Sequence, residues 1–166
     1  MQTPWGASDY QEKLAEGMWW VGTPGHGGLM IGKAEARRKL TPEAQACGRL
    51  FGSWLCYEED CDYAIPFYEL QELREAWHRI AVKARPQEEI QASALDVLKC
   101  YHGAYLIARG LAPVEELPRW VESLAGWRNS TVEAEVADLR ERARQFSAPA
   151  APTVAPAALL LVLDLG

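Results

Sequence analysis

Two short segments hold the residue types that do chemistry in this chain. Thr23-Pro24-Gly25-His26-Gly27-Gly28 frames one imidazole with three glycines, and Tyr57-Glu58-Glu59-Asp60-Cys61-Asp62 gathers four carboxylates and a thiol. A histidine framed in this way has little side-chain cover, and the glycine backbone lets a ligand come close. The four acids repel one another, Glu58 and Asp62 in particular if they stand one helical turn apart. A helix N-terminus under the run, or a cation beside it, offsets that cost. The plainer reading is therefore a tight hairpin loop and a helix that opens on acids. The chemical reading brings His26 against Glu58, Glu59 or Asp60, as a general base or a hard-metal site. Cys61 with His26 has the residue types of a nucleophile and its base, yet the neighbouring carboxylates disfavour a thiolate. His26, Cys56 and Cys61 lack the paired spacing of a structural zinc site.

The elements that must position these segments follow from local patterns. Ser8 and Asp9, with Glu12 in capping-box spacing, predict a short helix ending near Gly17. The apolar runs MWWVGT (18–23) and LMIGK (29–33), on either side of the glycine-rich loop, predict a β-hairpin. Thr41-Pro42-Glu43 opens a helix expected to run towards Trp54. Leu70, Leu73, Trp77 and Ile80 form one helical stripe, and Ile90, Ala94, Val97 or Leu98, Tyr101 and Tyr105 form another that stops at Gly110. Val114, Leu117, Val121 and Leu124, then Val132, Val136, Leu139, Ala143 and Phe146, predict a helical hairpin over 113–146. The expected fold is α+β: a small N-terminal β-hairpin or sheet packed on a predominantly helical body, closed by that hairpin.

One globular domain is expected over 1–147, with a family-like motif region at about 3–68 and a helical region at about 69–147. An Ala/Pro linker follows at 148–158, then an apolar segment at 159–166. Six aliphatics among residues 159–165 are costly to leave in water. That segment is expected to dock back as a strand beside MWWVGT or to drive self-association.

Composition narrows the function classes. Over 166 residues, 49% hydrophobic and 24% charged is ordinary globular composition. The net charge is −6, and the acids at 58–62 supply most of it, which argues against direct binding of a nucleic acid. No basic stretch followed by an apolar one opens the chain, and no run approaches a membrane span, so neither a secretory leader nor a membrane partner is expected. Four irregularly spaced cysteines fit free thiols in a reducing cytoplasm. Seven tryptophans are an excess; spread along the chain they read as large anchors in one core, and one or two of them suit a binding surface.

Three separated motifs, TPWGASD at 3–9, EGMWWVGTPGHGG at 16–28 and YEEDCDYA at 57–64, resemble an uncharacterised family of domains encoded by phages, plasmids and integrative elements. The chain departs from that pattern at Tyr63, where tryptophan is usual, and at Pro66, where an aliphatic helix normally continues. The resemblance implies an accessory protein of a mobile element in a bacterial cytoplasm and carries no activity with it. It draws Trp5, Gly25, His26, Gly27, Gly28, Tyr57, Glu58, Glu59, Asp60, Cys61 and Asp62 into one expected site, with no metal and no cofactor. The expected function is protein–protein interaction with a host protein, inhibiting a host factor, because an acidic surface can occupy a basic groove. The alternative is a small hydrolase using His26 with Glu58, Glu59 and Asp60.

Overall fold

A computed structural model describes residues 1–81, 84–112 and 130–147, together with Glu116, Val121, Glu122, Ala125 and Arg128. The fold is α+β: an antiparallel sheet at the N-terminal end carries a layer of helices. A two-stranded ribbon, β1 (Gln2–Thr3) and β2 (Gly6–Ala7), precedes β3 (Tyr10–Ala15), β4 (Met18–Gly22) and β5 (Gly27–Gly32). Two short helices, α1 (Lys33–Lys39) and α2 (Pro42–Cys47), lead into β6 (Arg49–Phe51) and β7 (Trp54–Glu58). Helices α3 (Ala64–Glu69), α4 (Gln71–Ile80), α5 (Gln87–Tyr101), α6 (Gly103–Ala108) and α7 (Val132–Ser147) complete the described chain. The five-stranded sheet has the order β3-β4-β5-β7-β6.

The hairpin expected from MWWVGT and LMIGK is present as β4 and β5, with Met18 opposite Ile31 and Gly22 opposite Gly27. Residues 10–15 correct the helix expected after Asp9. They form β3, pairing Tyr10 with Gly22 and Glu12 with Trp20, and the Asp9 N–H donates to Gly22 O instead of leaving Asp9 as a cap. Gly17, expected as a helix stop, turns the β3–β4 hairpin at φ 68°. With β3 on one side and β5 on the other, β4 has no free edge, so no strand can add beside MWWVGT. Residues 148–166, on which the docking expectation rests, lie outside the described residues.

The second correction concerns 41–58. Thr41 caps α2 as expected, accepting from the Ala44 N–H, but the helix stops at Cys47. The chain then returns as the β6–β7 hairpin through Gly52, at φ 57°. Trp54-Leu55-Cys56-Tyr57 alternates faces, placing Leu55 and Tyr57 on the helix side and Cys56 on the other. Glu58 therefore ends a strand, and the acids after it form the turn into α3.

The main core lies between the sheet and the helices. Met18, Leu29, Ile31 and Tyr57 from the sheet meet Ile65, Phe67, Leu73, Leu98 and Leu106, all buried. Each such side chain contributes about 1.5–3 kcal/mol relative to exposure. The opposite face of the sheet holds a smaller layer of Val21, Met30 and Cys56 under Trp5, Trp19 and Trp54. The stripe expected over 90–105 is broken at His102, where α5 gives way to α6, and Gly110 follows at φ 62°. For the 113–146 hairpin, Val136 and Leu139 of α7 pack against Val121 and Ala104. Val114, Leu117 and Leu124 lie outside the described residues. Among the described residues no helix is long and apolar enough to cross a membrane.

Candidate functional site

The β4–β5 loop and the β7–α3 turn come together at one end of the sheet because β5 and β7 are neighbours. Gly28 pairs with Glu58, and the Glu59 N–H donates to Gly27 O at 3.2 Å. Thr23 closes the loop: its hydroxyl donates to His26 O at 2.7 Å and accepts from the His26 N–H at 3.2 Å. The imidazole is thereby aimed at the acids. His26 Nδ1 lies 3.7 Å from Glu58 Oε1, with the His26 side chain 65% exposed and that of Glu58 25% exposed. Glu58 Oε2 accepts from the Asp60 N–H at 2.7 Å, whereas Oε1 is buried and has no hydrogen-bond partner among the described residues. His26, Glu58 and Glu59 each offer a donor atom within 4.8 Å of the others, the spacing of a cation site or of a general base with its orienting acid.

The glycines of the loop play unequal parts. Gly28, at φ 151°, lies under the Trp5 ring, and a Cβ there would stand 2.2 Å from Tyr57 O. Gly27 is similarly confined, its Cβ position 2.5 Å from Val21 O and 2.9 Å from Glu59 Oε2. Gly25 is exposed and meets nothing within 4 Å. Trp5 thus joins the first motif to the second by packing over Gly28. Tyr57 corrects its expected place in a binding surface: it is fully buried and its hydroxyl donates to Ala44 O at 2.9 Å. Asp60 is exposed on the turn.

Cys61 and Asp62 face away from His26 towards a different histidine. His102 Nε2 stands 3.2 Å from Asp62 Oδ1, and Cys61 Sγ donates to the same oxygen at 3.6 Å. Burial first, then the charge and hydrogen bond of Asp62 and the charges of Glu58 and Asp60, push the Cys61 thiol up to about 11. Burial alone would raise the Asp62 carboxyl, but its contact with His102 outweighs that and holds it below the usual carboxylate range. A Cys61 nucleophile with His26 as base is therefore disfavoured both by position and by protonation. Cys56 sits on the opposite face of the sheet, its thiol pushed up to about 11 by burial, so the zinc set of His26, Cys56 and Cys61 does not assemble. All four cysteines are free.

Nothing in the spacing linked His102 to the acid run, because it belongs to a helix junction far along the chain. A second feature was equally hidden. Trp20 of β4 meets Tyr63, Phe67 and Trp77 edge-on, at ring-centroid distances of 5.8, 6.2 and 4.9 Å. These rings line a groove of about 290 Å³ whose wall includes Glu59 and Arg85. Trp77 was legible as part of a helical stripe, but the partners that turn it into a groove wall come from three other segments.

Comparison with curated proteins and with solved structures finds no match. A family model matches residues 1–105, a span that holds the whole sheet, the β7–α3 turn and His102, and by that match the chain belongs to the family described as a domain of unknown function (DUF7007).

Proposed function

We propose that this is an accessory protein of a phage or related mobile element, acting in the bacterial cytoplasm by binding a host protein and inhibiting it. The observation that carries the reading is the aromatic groove, in which Trp20, Tyr63, Phe67 and Trp77 stand beside Glu59 and the acidic turn. Rigid aromatic walls supply contact area at low entropic cost, and they are typical of interface hot spots. Glu59 in its wall favours a partner segment that presents an apolar side chain next to Lys or Arg, by charge complementarity. The same charge disfavours a nucleic acid as the direct ligand. The test is capture from bacterial lysate with the wild-type chain and a Glu59→Lys variant of equal melting temperature. A partner retained by the wild type and lost by the variant supports the reading. Retention of the same proteins by both, or of none by either, removes it.

A second reading, a small hydrolase using His26 with Glu58, Glu59 and Asp60, is favoured by the 3.7 Å approach of an exposed imidazole to Glu58. Turnover of chromogenic ester or phosphodiester substrates that disappears in His26→Ala would support it. Identical background rates in both proteins would exclude it for those substrates.

A further inference from the structure

The acid turn has a second face, and its donors differ in kind from those around His26. Cys61 Sγ, an Asp62 carboxylate oxygen and a His102 ring nitrogen all lie within 4.8 Å of one another. We propose that Cys61, Asp62 and His102 bind one Zn²⁺ ion. This goes beyond the interaction reading and does not depend on it.

Four features carry the assignment. The first is the spacing of the donors. A tetrahedral zinc with bonds of about 2.0–2.3 Å has ligand atoms roughly 3.3–3.8 Å apart. The two measured edges are 3.6 Å from Sγ to Oδ1 and 3.2 Å from Nε2 to Oδ1. The second is the state of His102. Its Nε2 has no solvent-accessible surface and no aligned hydrogen bond among the described residues, although Asp62 is close. A buried ring nitrogen without an aligned partner is costly, and a metal ion bridging it to the carboxylate satisfies both.

The third feature is preorganisation. Cys61 O and Asp62 O accept from the Ala64 and Ile65 N–H groups, and the Tyr63 N–H donates to Glu58 O, so the turn is fixed by its own backbone. His102 sits where the α5 hydrogen-bond ladder is interrupted, with its N–H tied to Leu98 O. The ring is therefore presented from a rigid junction. The fourth is the chemistry of the donors. Thiolate sulfur, imidazole nitrogen and carboxylate oxygen together suit Zn²⁺, whereas Mg²⁺ and Ca²⁺ take all-oxygen shells with more ligands. Binding breaks the Cys61 S–H bond, forms the S–Zn bond and releases the proton to solvent. One thiolate and one carboxylate then neutralise the ion and offset the repulsion within residues 58–62. A zinc held by three protein ligands takes a water in its fourth position.

The test uses the full chain, stripped with a chelator and titrated with Zn²⁺ by calorimetry and with Co²⁺ by absorbance. One ion per chain is expected, and Co²⁺ should give a thiolate-to-metal charge-transfer band. Cys61→Ser should abolish that band, and His102→Ala should weaken Zn²⁺ binding about tenfold or more. Cys100→Ser, at an exposed thiol, should change neither. The wild-type Co²⁺ spectrum decides the question even if a variant fails to fold. A spectrum without the charge-transfer band, or no stoichiometric uptake of either ion, would overturn the proposal. So would binding that is lost in His26→Ala and kept in His102→Ala, because that assigns the ion to the other face of the turn.

Discussion

Replacing Gly28 by alanine isolates the contact on which the meeting of the three motifs rests. The added Cβ would lie 2.2 Å from Tyr57 O, a backbone atom of the adjacent strand, and 2.8 Å from the Trp5 ring. Trp5 can tilt, but the carbonyl belongs to the β5–β7 ladder, so the strands must part by about 1 Å to restore van der Waals contact. Holding a non-glycine residue at φ 151° adds strain of about 1–3 kcal/mol. With about 1–3 kcal/mol for the overpacking, the expected loss is about 2–6 kcal/mol. A domain of this size loses roughly 2–4 °C in melting temperature per kcal/mol. Gly28→Ala should therefore melt roughly 4–24 °C below the parent in a thermal scan followed by circular dichroism. Gly25→Ala is the internal control from the same loop. Nothing lies within 4 Å of its Cβ position, so its stability should stay within about 0.5 kcal/mol of the parent. If the two variants melt together within about 2 °C, the close approach of β5 to β7 at Gly28 is wrong, and the positioning of His26 over Glu58 loses its basis.

Three further outcomes are expected. Glu69, almost fully buried, accepts from the Thr41 N–H and the Tyr105 hydroxyl and pairs with Arg109, so Glu69→Ala should cost about 2–4 kcal/mol in a urea titration; a loss below about 1 kcal/mol would refute the network. In the native protein at pH 8 an alkylating reagent should label exposed Cys100 well before Cys47, whose thiol burial pushes up to about 12. At that value only about 10⁻⁴ of Cys47 is thiolate at pH 8, against roughly a quarter of an ordinary thiol, and labelling should accelerate as the pH rises; mass spectrometry showing equal rates would contradict the burial of α2. Leu139→Ala should cost about 2–4 kcal/mol, because Leu139 fills the contact of α7 with Gly103 and Val121; an unchanged denaturation midpoint would show that α7 does not pack on α6.

Much of the fold is written in short-range pattern. The two bulky runs about a glycine loop form β4 and β5, the Thr41 cap opens α2, and the stripes at 70–80 and 90–98 bury Leu73, Ile90, Ala94 and Leu98. Each of these depends on residues within a few positions of one another. Where local signals failed, a long-range partner outweighed them. Capping and helix propensity at 9–17 are worth on the order of 1 kcal/mol, less than the backbone ladder and side-chain cover that β4 offers to Tyr10–Ala15. The run Trp54-Leu55-Cys56-Tyr57 is apolar throughout, so its periodicity does not separate a strand from the expected continuation of the Thr41 helix, and only the pairing with β5 and β6 decides it.

The site divides along the same line. Residue types alone brought His26 and the acids forward as complementary, since an exposed imidazole and an uncompensated cluster of carboxylates each favour the other's company. Only the tertiary structure decided which acid faces which histidine. The pairing of β5 with β7 sets Glu58 and Glu59 towards His26, and the turn that follows carries Cys61 and Asp62 round to His102. Aromatic composition likewise announced an excess of rings, but Trp20, Tyr63, Phe67 and Trp77 line a groove because a central strand, a turn and two helices converge there. Sequence patterning reaches as far as a helical turn or a hairpin; the meeting of segments tens of residues apart is settled by the packing of the whole core, which no single segment encodes.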